Sequence, residues 1–167
     1  MDVKTMDQGL LTRHPSLTPE QFSSHWYNKH APLVVPMFLY LGVQHYEQIH
    51  GPFTVQESTS SSQFPIPDTQ TFDGVVALPP APLSGTLPAG TPAWVQAYYD
   101  EVVKVDEKRF LVSEALEHIV RVPPGSVKGI KKVVIEGGEV KIDVPEGVWE
   151  VWRGFEGRGK EEGKEGK

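Results

Sequence analysis

The chain has 167 residues, with 16 Lys and Arg against 22 Asp and Glu for a formal charge of −6, and no cysteine. That length suits one domain, able to bury about 70% of its unfolded surface, and the missing thiols exclude disulfides, thiolate metal centres and cysteine nucleophiles. The acidic balance argues against non-specific nucleic-acid binding. Residues 33–43, the longest apolar stretch, make only about half a membrane span and contain Pro36. The N-terminal MDVKTMDQGLL places acids where a secretion signal needs a basic start. The expectation is a cytoplasmic protein with neither a membrane nor a nucleic-acid partner.

In chain order, residues 8–14 (QGLLTRH) read as a first strand. A helix start follows, with Thr18 as N-cap, Pro19 at the first helical position and Gln21 completing a capping box. This helix carries Phe22 and Trp26 one turn apart and should end near His30, because Ala31 precedes Pro32. The apolar run 33–40 is open between a second helical segment and a buried connection. Residues 43–50 (VQHYEQIH) alternate with period two, a second strand with Tyr46 and His50 on one side.

Residues 72–78 (FDGVVAL) read as a third strand between two loop-like blocks, 58–67 (STSSSQFPIP) and 79–92 (PPAPLSGTLPAGTP). Residues 94–108 form a second helix, with Val95, Tyr98, Tyr99 and Val102 at the spacing of a core-facing stripe. Residues 116–122 alternate again and give a fourth strand. The order β-α-β-β-α-β is the split βαβ arrangement, an α+β fold with a four-stranded antiparallel sheet and both helices on one face. Its other face would be bare, and a second copy is the simplest cover. An extension from about residue 123 adds strands at 132–135, 140–144 and 148–152, with turns at Gly137-Gly138 and Glu146-Gly147. Residues 1–157 thus read as one domain, and 158–167 (RGKEEGKEGK), with no apolar side chain, as a disordered tail.

Six histidines in a chain without cysteine are the main chemical signal: His14, His25, His30, His45, His50 and His118. None has the HExxH spacing, so no metal is called for, and no GxGxxG, Walker loop or GxSxG is present. His30, at the expected helix end, can cap a carbonyl with one nitrogen and offer the other to a ligand; a plain helix cap explains it equally well. His50 shares a face with Tyr46 and Gln48 that is polar for a dry core, although an open solvent face would also account for it. Asp73 stands in a strand, where acids are depleted, or serves turn chemistry. Helical spacing assigns Phe22, Trp26, Tyr98 and Tyr99 to the core.

Residues 10–34 (LLTRHPSLTPEQFSSHWYNKHAPLV) resemble the opening of EthD-domain proteins: a strand, a turn, a helix with a Trp, then His, a small residue and Pro. HYEQIH (45–50), FDGVVAL (72–78) and DEKRF (106–110) are similar to that family's second strand, third strand and second-helix end. The resemblance implies a ferredoxin-like protomer forming a homodimeric α+β barrel with an apolar pocket. It also implies a cofactor-free acid–base enzyme of secondary metabolism, of the kind fungal polyketide decarboxylases, dehydratases and cyclases represent, acting on a small aromatic polyketide or β-keto acid. His30, His50, Tyr46 and Asp73 match the family's polar pocket pattern. Decarboxylation, dehydration and cyclisation all pass through an enol or enolate, which a neutral-range base and an oxyanion donor serve without a metal. A binding module without chemistry and a haem protein with a His ligand are the alternatives.

Overall fold

A computed structural model describes residues 6–55, 72–78 and 87–165. The loop block 58–67 and residues 79–86 of the second block lie outside the described residues. Strands β1 (Asp7–Leu11), β2 (His45–Val55), β3 (Gly74–Leu78), β4 (Val120–Val122), β5 (Val127–Glu136) and β6 (Glu139–Val140) form one antiparallel sheet. Its order is β4-β1-β3-β2-β5-β6. The first four strands stand in the expected split-βαβ order, and the β5–β6 hairpin adds beside β2, widening four strands to six. Gly137 and Gly138, both at positive φ, make the hairpin turn.

Helix α1 (Pro19–His25) starts as its sequence dictates. The Gln21 N–H donates to Thr18 Oγ1 at 3.1 Å, and the Thr18 N–H donates to Gln21 Oε1 at 2.9 Å. The expected stop at His30 does not occur. A π-helical turn, Trp26–His30, leads directly into α2 (Ala31–Tyr40). Ala31 keeps helical angles (φ −53°, ψ −45°), and its N–H reaches back five residues to the Trp26 carbonyl. Pro32 lacks an N–H where the ladder changes register, so the wider turn absorbs the proline instead of ending the helix.

The second helix has the same device. Helix α3 (Ala93–Tyr98) passes through a π turn, Tyr99–Val103, into α4 (Lys104–Phe110). Val95, Tyr98 and Tyr99 are buried as the stripe requires, but the extra residue in the turn hands the next core position to Val103 instead of Val102. The stripe then continues through Asp106, Glu107 and Phe110.

Two further readings are corrected. Residues 116–122 are not one strand: α5 (Ala115–His118) precedes the three-residue β4. Of the second added strand, read as 140–144, only Val140 pairs, in β6 with Glu139, and 148–152 is not a strand at all. That run lies in α6 (Glu146–Glu165), whose Trp152 and Phe155 sit one turn apart and pack edge-on against Tyr98, ring centroids 4.8 and 5.5 Å away. Trp152 also meets Trp94 at 4.9 Å. An aromatic pair at helical spacing outweighed the local alternation. Glu146-Gly147 is the first turn of this helix, and the helical backbone continues past Arg158 to Glu165 where disorder was expected.

The sheet face away from the helices is not bare. Leu10, Ile49, Phe72, Val75, Val122 and Val127 form a second buried cluster there, with Phe53 and Val55 against it. Past a register shift between His50 and Thr54, the end of the β2–β5 ribbon reaches β1: the Val127 N–H donates to Gln8 Oε1 at 2.8 Å, and Gln8 Nε2 donates to the Val127 carbonyl at 3.1 Å. Among the described residues, the apolar side chains of this cluster are therefore buried within the single chain, and Val120, on the same face, stays exposed.

Candidate functional site

A cavity of about 230 Å³ opens between the helix layer and the sheet, within one chain. Its walls are almost wholly apolar, interrupted by the polar groups of His30, Tyr46, Tyr99 and Glu107. The π turns place two of these: His30 closes the first and Tyr99 opens the second.

His30 is buried, and its Nδ1 lies 2.9 Å from Asp106 Oδ2 on α4. The same carboxylate takes His25 Nε2 at 3.0 Å on Oδ1. Burial works to raise the Asp106 carboxyl, but the hydrogen bonds and charges of the two histidines outweigh it and hold it below the usual carboxylate range. A carboxylate only accepts, so the proton sits on His30 Nδ1. Nε2 then has no partner among the described residues and belongs to a ring that lines the cavity.

A second network rises from β2. Gln48, fully buried, donates from Nε2 to the Trp26 carbonyl and to the Tyr46 hydroxyl, each at 3.1 Å. The Trp26 carbonyl fixes the orientation of that amide, because it can only accept. Gln48 Oε1 therefore receives the Nε2–H of His50 at 2.9 Å, and the Ser23 hydroxyl donates to His50 Nδ1 at 2.5 Å. Burial and the nearby Lys132 charge lower His50 to about 4, which keeps the ring neutral. Burial raises Tyr46 to about 12, against hydrogen bonds from Gln48 and the Trp26 side chain. With Gln48 Nε2 donating to its oxygen, the Tyr46 proton is left to be given elsewhere.

On α4, Glu107 accepts the Ala115 N–H on Oε2 at 3.0 Å. Burial raises its carboxyl, a shift that the His30 charge and the Ala115 bond reduce without cancelling. Tyr99 is buried with its hydroxyl unpaired among the described residues. Burial, reinforced by the Glu107 charge, raises that phenol as well.

Of the four residues singled out from sequence, His30 and Tyr46 line the cavity, and His50 stands behind Tyr46 through Gln48. Asp73 is elsewhere. It takes the Arg13 N–H on Oδ2 at 3.0 Å and Arg13 Nε on Oδ1 at 3.2 Å, tying β3 to the chain leaving β1. Asp106, Glu107 and Tyr99 were not foreseen as site residues. The signal for the acids was the core stripe itself, since Tyr99, Val103, Glu107 and Phe110 continue its spacing through a carboxyl. Leu87 and Pro88, at the end of the proline-rich block, border the cavity. Among the described residues, no group of three or more His, Cys, Asp or Glu could hold a metal ion, and no helix is long and apolar enough to cross a membrane.

Fold and cavity define an α+β protein of the ferredoxin-like type, with a carboxylate-oriented histidine in an apolar pocket between helices and sheet. The family model described as EthD domain matches residues 14–114, and the chain belongs to that family. The match stops short of β4, β5, β6 and α6. No curated protein and no solved structure matches the chain.

Proposed function

We propose that this protein is an acid–base enzyme of secondary metabolism, acting on a small aromatic polyketide or β-keto compound through an enolate. The observation that carries this reading is the Asp106–His30 pair, which leaves His30 Nε2 unpartnered at the wall of an apolar cavity. In the key step the substrate's α-proton passes to His30 Nε2, and the electron pair of the broken C–H bond forms the enolate. The Tyr46 hydroxyl donates to its oxygen, and Asp106 stabilises the imidazolium. Proton transfer of this kind serves dehydration and cyclisation directly; in decarboxylation the same groups stabilise the enolate and protonate it. A binding module without chemistry would be favoured by a pocket filled with side chains, whereas this one is open. The haem alternative fits poorly, because about 230 Å³ is room for one or two fused rings, beside the roughly 150 Å³ that accepts benzene, and not for a macrocycle of four pyrroles.

His30→Gln is the test. It should lower turnover of an aromatic β-hydroxy or β-keto ketone by about 10²–10⁴-fold with the fold intact, the range for one general acid or base. Wild-type turnover in this variant would remove His30 from the chemistry.

A further inference from the structure

Tyr99 and Glu107 play no part in the enolate step, yet both lie buried on the cavity wall. An unpaired buried hydroxyl is destabilising and uncommon in a folded protein. The Glu107 carboxyl has one oxygen on the Ala115 N–H, and the other has no partner among the described residues. No ion pair neutralises Glu107 there, whereas the neighbouring Asp106 faces two histidines. Lys104 sits 5.1 Å from the Tyr99 ring centroid, with its ammonium held by Asp100 and Glu114. None of the described residues lining the cavity is Lys or Arg, and the sequence has neither between Lys29 and Lys104. Among the described residues, the pocket therefore has hydrogen-bonding groups for an oxygen and, apart from the His30 ring already paired with Asp106, no cation for an anion.

Resting on the acid–base reading above, we propose that Tyr99 and Glu107 form a second polar pole that binds a neutral hydroxyl or carbonyl of the substrate and rejects carboxylates. The ligand is then an uncharged, oxygen-bearing ring system of one or two rings. An empty apolar cavity of about 150 Å³ accepts benzene, so about 230 Å³ suits a bicyclic ring. Among the reactions open to the His30 site, this pole selects dehydration or cyclisation of a neutral polyketide over decarboxylation of a β-keto acid. Burial raises the Tyr99 phenol above its ordinary value, so Tyr99 stays a proton donor at this pole.

Three probes of one shape test the proposal by calorimetry on the full chain at pH 7: 2-naphthol, 2-naphthoate and naphthalene. 2-Naphthol should bind at least about tenfold more tightly than 2-naphthoate. Tyr99→Phe should weaken 2-naphthol about three- to tenfold while leaving naphthalene unchanged, the scale of one hydrogen bond. Glu107→Gln keeps an acceptor for Ala115 and removes the carboxyl's negative charge, so it should improve 2-naphthoate several-fold and change 2-naphthol less than threefold. Equal or tighter binding of 2-naphthoate by the wild type, an unchanged 2-naphthol to naphthalene ratio in Tyr99→Phe, or no binding of 2-naphthol at millimolar concentration would each overturn it. Because these readouts do not depend on turnover, charge selectivity can hold while His30→Gln stays active, or fail while His30→Gln is dead. The two readings fall separately.

Discussion

Strand β2 buries polar groups on both of its faces, with opposite consequences. On the face toward the second cluster, His45 Nε2 pairs with Glu47 Oε2 at 3.2 Å, and Lys131 Nζ stands 3.9 Å from the other carboxylate oxygen. Both acid and histidine are buried, Ile49 continues the row, and the group is closed on itself. On the helix face, Tyr46, Gln48 and His50 hand hydrogen bonds along the strand, and the series ends at a cavity. Six consecutive residues, His45 to His50, are thus all buried, and burial with polarity does not by itself mark a site. The difference lies in where the last donor points: into a partner on one face, into a void on the other.

The largest effect that could break this comparison belongs to the cavity side. Asp106→Asn keeps the shape but lets the amide present its N–H to His30, favouring the tautomer with the proton on Nε2. Turnover should fall by about 10²–10⁴-fold, comparable to His30→Gln, because the base no longer has a free lone pair toward the substrate. On the other face, His45→Ala should leave turnover within about twofold and lower unfolding free energy by about 2–4 kcal/mol, since Glu47 keeps only a distant, half-exposed lysine. Steady-state kinetics and denaturant titration on both variants decide the matter. A turnover loss in His45→Ala with stability intact would show that the two faces are coupled.

A smaller effect sharpens the role of His50. Its folded value, about 4, lies below the ordinary 6.5, so the folded state holds the ring neutral while the unfolded chain protonates. The stability this contributes is fully present above pH 6.5 and is lost as pH falls toward 4, by about 1–3 kcal/mol. The lowered Asp106 carboxyl acts in the same sense, with its contribution lost only at still lower pH. Denaturant titrations between pH 7 and 4.5 should show the wild type losing this amount and His50→Gln losing less. Parallel curves would mean that His50 is not held neutral.

How much of this was legible in sequence varies with the kind of signal. The capping box at Thr18 and the alternation that puts Tyr46 with His50 are local, and both appear as read. The pocket depends on features that local rules misjudge. The pre-proline preference argued for a stop at His30, but the π turn lets Ala31 stay helical and turns His30 from a helix end into a mid-helix wall residue. The same kind of turn moved the second stripe from Val102 to Val103 and carried Asp106 and Glu107 inward. Which acid meets His30 is a contact between residues 76 positions apart, and no spacing within one helix encodes it. The covered sheet face likewise depends on the β2–β5 ribbon reaching β1, a long-range event invisible to periodicity.

The smallest effect concerns where the folded unit ends. We propose that the boundary lies just beyond the residue 157 that composition suggested. Gly159 lies so close to Trp94 that an added Cβ would stand 2.2 Å from the indole Cδ1, and Arg158 lies over the Phe155 ring at 4.1 Å and pairs with Glu101 at 3.7 Å. Gly159→Ala gains up to about 1 kcal/mol of helix propensity, yet it must push an aromatic ring that Trp152 and Tyr40 also hold. The displacement should win and lower the melting temperature. Removal of residues 162–167, which include no apolar side chain, should change unfolding free energy by less than about 0.5 kcal/mol. Truncation after Gly157 should cost more than that, because it uncovers Trp94 and removes a helix turn. Thermal melts of the three proteins check the order, and equal stability for the two truncations would return the boundary to residue 157.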